Sequence, residues 1–172
     1  MIQVKNTPRN AGVAISGDLM DFEDLYDMLH LIVGEEGEIP YLGSARLRVL
    51  GLCYDLRHAI MGNREIEFVE NGLNTDMMKR LSVISSDKNV YLSCKSYWPE
   101  ILFICVALDK FVSLYIMKHK QPNWDRLIGT VRNFQSRVID CLRQTLPEST
   151  FPRVLNVMNS TWFFVDNRKS VV

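Results

Sequence analysis

Apolar positions along this chain follow two rhythms, and most of the elements it predicts can be read from them. Short β-prone segments at residues 2–5 and 13–16 flank Asn6-Thr-Pro-Arg-Asn10, which supplies turn geometry and removes a donor at Pro8, so a hairpin is predicted. Phe22, Leu25, Tyr26, Leu29, Ile32 and Val33 then recur at helical spacing. Asp21 is the expected cap of that first helix, Asp21, Glu23 and Asp24 suit the positive end of its dipole, and Gly34 stops it.

The next helix, residues 44–62, is the centre of the sequence pattern. On a wheel of about 100° per residue, Ala45, Val49, Leu52, Cys53, Leu56, Ala59 and Ile60 form one apolar face. Leu47, Leu50, Gly51, Tyr54 and Met61 form a second. A helix apolar on two sides must be covered on both, so this one is expected to be nearly buried.

Residues 64–69 alternate, with Ile66 and Phe68 on one face and Glu65 and Glu67 on the other, the pattern of a half-buried strand. A short helix after Thr75 and a strand over residues 90–94 follow. Pro99 suits the first turn of a helix running to about residue 118, and Pro122 similarly opens a longer one to about residue 146; the two are expected to form an antiparallel pair. The last long helix carries one apolar stripe that includes Trp124, whereas its predecessor lacks a wide polar face and is expected to be sandwiched or used in dimerisation. The tail, Thr161-Trp-Phe-Phe-Val165, reads as a strand or an apolar arm.

These elements predict one α+β domain over residues 1–172, with a small, mainly antiparallel sheet packed against a layer of about five helices. Its 172 residues, 47% hydrophobic and 23% charged, suffice for a core without metals or disulfides. With 20 basic and 20 acidic residues the formal net charge is +0, so no global field favours nucleic acid. The apolar run at residues 101–108 ends at Asp109 and Lys110, too soon for a membrane span. No basic segment leads into a long apolar run at the N-terminus, so a cytoplasmic location is expected. Cys53, Cys94, Cys105 and Cys141 are far apart and read as reduced, packed thiols, with Cys94 beside Lys95 the only one open to activation.

Charge is unevenly distributed. No Lys or Arg occurs between Arg9 and Arg46, where Asp18, Asp21, Glu23, Asp24, Asp27, Glu35, Glu36 and Glu38 fall, while basic residues dominate from Lys110 onward. The two halves form solvated faces, meet in a symmetric oligomer, or steer a partner. Nucleic acid is disfavoured, because the basic residues are not clustered with interleaved aromatics.

Candidate chemistry lies in the seams of the central helix. Arg46 and Arg57 occupy one seam, Arg48 and Asp55 the other, and His58 sits beside Tyr54. With Glu65, Glu67 and Glu70 on the following strand, the favoured reading is an internal Arg–Glu network holding helix to sheet. The sharper one is a pocket in which Tyr54, Asp55 and His58 act as acids or bases and Arg57 holds an anion. No phosphate-binding Gly loop or Gly-x-Ser-x-Gly is present, and His30, His58 and His119 lie on separate segments, so neither cofactor nor metal is expected.

The segments Lys5-Asn-Thr-Pro through Gly12-Val-Ala-Ile-Ser-Gly17, the run from Ala45 to Ala59, Arg64-Glu-Ile-Glu-Phe-Val-Glu-Asn-Gly72 and Trp98-Pro-Glu-Ile-Leu102 together resemble a family of uncharacterised bacterial proteins of about this length. The resemblance implies a bacterial or phage-borne intracellular protein and assigns no activity, cofactor or catalytic residue. Function is therefore expected to be structural or protein-interacting, with self-association through the apolar helix and tail at Phe111, Tyr115, Trp162, Phe163 and Phe164. The alternative is an enzyme or small-ligand binder at Tyr54, Asp55, Arg57 and His58.

Overall fold

The computed structural model describes residues 1–160. Strands β1 (Gln3–Asn6) and β2 (Gly12–Gly17) form the predicted hairpin, with Val4 opposite Ile15. Its connection closes where the Gly12 N–H donates to Thr7 Oγ at 2.9 Å. Gly12 is required there: a Cβ would lie 2.1 Å from the Ser96 carbonyl oxygen on the neighbouring strand.

The sheet is antiparallel throughout, in the order β1-β2-β4-β3, with β3 at Glu65–Glu70 and β4 at Lys88–Tyr97. Strand β4 serves two neighbours in succession. Leu92 to Tyr97 pair with β2, whereas Lys88 to Ser93 pair with β3. The shared stretch is only Leu92 and Ser93, so the far half of β3 and β4 is a two-stranded arm. A short helix, α3 (Thr75–Leu81), lies in its connection.

Helix α1 (Leu19–Val33) is capped three residues earlier than predicted. Asp18 accepts from the Asp21 N–H at 2.8 Å while Asp21 accepts from the Asp18 N–H at 3.1 Å, a reciprocal capping box in which Asp21 is the second member. Helix α2 spans Gly43–Ile60 and α4 spans Trp98–His119. Helix α5 (Arg126–Thr145) starts at Asp125, not Pro122, because the Asp125 carboxylate accepts from the Leu127 and Ile128 N–H groups. Pro122 belongs to the preceding turn, and Trp124 is exposed there instead of joining the stripe. Helix α6 (Phe151–Asn159) has no counterpart in the sequence reading.

Helices α1, α2, α4 and α5 share one core with the sheet, built from Val13, Ile15, Leu92 and Cys94 against residues such as Phe22, Leu56, Ile104, Phe111 and Phe134. The wide apolar surface of α4 is explained by position, for it touches α1, α2, α5, α6 and both β2 and β4. No described helix is long and apolar enough to cross a membrane.

Two burial expectations are overturned. Helix α2 is covered on one side only: Ala45, Val49, Leu52, Cys53, Leu56 and Ala59 are buried, but Leu47 is 67% and Tyr54 59% exposed, because α1, α4 and β4 all approach the same face. In β3, Ile66 and Phe68 do share a face, yet they are 51% and 69% exposed while Glu67 is half-buried. Their register partners Leu92 and Val90 show why. Along that face of β4, Cys94 and Leu92 are in the core and Val90 is exposed, so the sheet runs out past the helices that cover it.

Candidate functional site

Three of the seam residues of α2, Arg46, Arg48 and Asp55, find separate partners instead of one network. Arg46 donates from Nε to the Gly34 carbonyl at 3.0 Å, bracing the end of α1. Arg48 pairs with Glu100 at 2.5 Å and lies over the Phe103 ring. Asp55 accepts from Arg64 at 2.7 Å, and Glu65 from Lys95 at 2.5 Å. The Tyr54 and His58 rings are 4.2 Å apart, one helical turn from each other. Arg57 is exposed and Glu67 half-buried, and neither makes an ion pair among the described residues.

The predicted Arg–Glu network between α2 and β3 is thus not formed among the described residues. Arg48, Asp55 and Glu65 take other partners at the surface, where such pairs contribute about 0–1 kcal/mol. Of the predicted polar-site residues, Asp55 and Arg48 line a cleft of about 380 Å³ with Leu47, Ser96 and Glu100. Tyr54, Arg57 and His58 are not among its walls.

Part of the uneven charge is paired inside the molecule. Asp24 on α1 accepts from Arg126 on α5 with both carboxylate oxygens, and Glu38 pairs with Lys118 of α4 at 2.7 Å. Hydrogen bonding from Lys118, then from the Glu35 N–H, holds the Glu38 carboxyl below its ordinary range. Acidic and basic halves therefore meet within one copy at these points.

Of the predicted interface residues, Phe111 is 1% exposed, held in the core by the helices around α4, and so cannot touch a second copy. Tyr115 is half-buried, lining a cleft of about 430 Å³ with Ile32, Ile39 and Leu114, and stacks on His119 at 4.5 Å. Trp162, Phe163 and Phe164, and with them the expected strand or apolar arm, lie outside the described residues.

What the sequence reading missed is the uncovered face of the arm. Ile66, Phe68 and Val90 stand together on it, and Val83 and Ile84 in the connection are also exposed. Alternation reveals which residues share a face; it does not reveal where the covering helices stop.

Residues 2–168 match the family model of DUF6904, a domain of unknown function. The chain belongs to this family. No curated protein and no solved structure matches it. The matched range takes in every strand and helix described above, so the arm is part of the DUF6904 domain and not an appendage to it.

All four cysteines of this DUF6904 chain are free and buried. Burial pushes the thiols of Cys53, Cys94 and Cys105 up to about 12, and that of Cys141 upward as well. Lys95 does not activate Cys94, since its ammonium is turned to Glu65 on the opposite face of the sheet. Among the described residues, no His, Cys, Asp and Glu side chains gather as a metal ion needs.

Proposed function

We propose that this DUF6904 domain is a protein-interaction module that self-associates through the arm formed by β3 and β4. The observation that carries the reading is the sheet face that leaves the core at Leu92 and continues, uncovered, through Ile66, Phe68 and Val90. Contiguous exposed apolar side chains mark interaction surfaces, and burying a Phe, Ile or Val contributes roughly 1.5–3 kcal/mol each. A second copy is favoured as the occupant because α2 offers another uncovered apolar stripe, at Leu47, Tyr54 and Met61. In a two-fold pair every such surface occurs twice. Four unpaired thiols suit a reducing, cytoplasmic setting.

The test is the mass in solution of the full chain and of Phe68→Asp, by light scattering, with circular dichroism to check the fold. A dimeric parent and a folded, monomeric variant are expected. A variant of unchanged mass with its fold intact, or a parent that stays monomeric at high concentration, overturns the reading.

A competing reading, an enzyme or small-ligand binder at Tyr54, Asp55, Arg57 and His58, draws support from the cleft beside Asp55. It is the weaker of the two, because the Asp55 carboxylate is held by Arg64 and the other three groups do not line that cleft. Native mass spectrometry of the protein purified without additions separates them: a reproducible extra mass favours the ligand binder, a clean apo-dimer the interaction module.

A further inference from the structure

Helix α2 and the arm carry matched apolar centres and opposite charges, yet do not pair within the copy that holds them. On α2 the outer stripe is centred on Tyr54, with Leu47 and Met61 about two turns to either side and Arg57 close to one turn along. On the arm, Glu70 follows Phe68 on the same face by one strand repeat. Arg57 and Glu70 are both exposed, and neither has an ion-pair partner among the described residues. Lys88 stands opposite Glu70 in register and makes no ion pair with it.

We infer that two copies associate by reciprocal arm exchange, the arm of each resting on α2 of the other, with Phe68 against Tyr54 and Glu70 paired to Arg57 across the two-fold axis. The inference rests on the self-association reading and specifies its geometry. The spacings are commensurate. Tyr54 to Arg57 advances about 5 Å along a helix and Phe68 to Glu70 about 7 Å along a strand, a difference that a long Arg side chain spans. An isologous contact of this kind uses each of the four groups twice and leaves no end open for a third copy. It covers both apolar faces at once, and Arg57 on α2 or Glu70 on β3 would meet its own sign if either element paired with its own copy across the axis.

Mixing charge-reversed variants tests the exchange. Arg57→Glu and Glu70→Arg, each exposed and away from the core, are prepared separately in the full chain and their dimerisation constants measured by analytical ultracentrifugation. Each variant alone places like charges at both contacts and is expected to dimerise at least about tenfold more weakly than the parent. Mixed together they restore both pairs, so a heterodimer of near-parental affinity is expected. Variants that each dimerise like the parent, or a mixture no tighter than its components, overturn the exchange. If Phe68→Asp abolishes dimers while the mixture fails, the arm remains the interface and only this geometry falls; if Phe68→Asp leaves dimers intact, the self-association reading itself falls.

Discussion

Burial acts on the cysteine side chains in one direction. Ordinary thiols titrate at 9.0, and desolvation, which strips the thiolate of its water, moves Cys53, Cys94 and Cys105 to about 12, at Cys94 even with Arg64 pulling the other way. A folded-state value above the unfolded one stabilises the fold fully below pH 9 and loses that contribution as pH rises toward 12. Each such thiol then costs up to about 1.4 kcal/mol per pH unit in that window. Denaturant unfolding of Cys105→Ala should therefore show a shallower loss of stability between pH 9 and 11 than the parent; equal slopes would assign the loss to other groups. The packed state of Cys53, Cys105 and Cys141 was legible from the apolar helical patterns around them. The partners of the α2 arginines were not, because charge type and helical phase identify a seam but not which of several acids lies nearest. Arg48 meets Glu100, at the start of α4, and not an acid of β3.

At the scale of elements, local signals located segments well and their ends less well. Asp18 and Asp21 are both good caps by composition, and the choice falls on Asp18 because it allows the reciprocal bond from Asp21. Asp18→Ala should lower stability by about 1 kcal/mol, read as a drop in the urea midpoint with unchanged slope; no change would show that the first turn of α1 is satisfied by water. Strand β3 was legible as a strand and its alternation was correct. Its burial was inverted because exposure is a property of what lies above the sheet, which the strand's own residues do not encode. Helix α2 misled in the same way, its second apolar face being real in sequence and bare in the fold. Helix α6 escaped notice because its nine residues are too few to establish a period and Pro152 reads first as a breaker, although it sits in the first turn, where proline is tolerated.

In the molecule as a whole, acidic and basic halves of the sequence are brought together by Asp24 with Arg126 and Glu38 with Lys118, so the proposed association rests on the apolar faces and the charges beside them. The sheet itself is two ladders joined end to end. Residues 94–97 of β4 have β2 beside them and helices above, whereas residues 88–91 have β3 alone. Opening the outer ladder disturbs little of the core, so its amides should exchange with deuterium through a local event much cheaper than global unfolding. In the proposed dimer, docking on a second copy would suppress that event. Deuterium uptake at residues 66–70 and 88–91 should consequently slow as protein concentration rises while uptake at 94–97 stays constant, making this short stretch of backbone a built-in reporter of whether the molecule is alone.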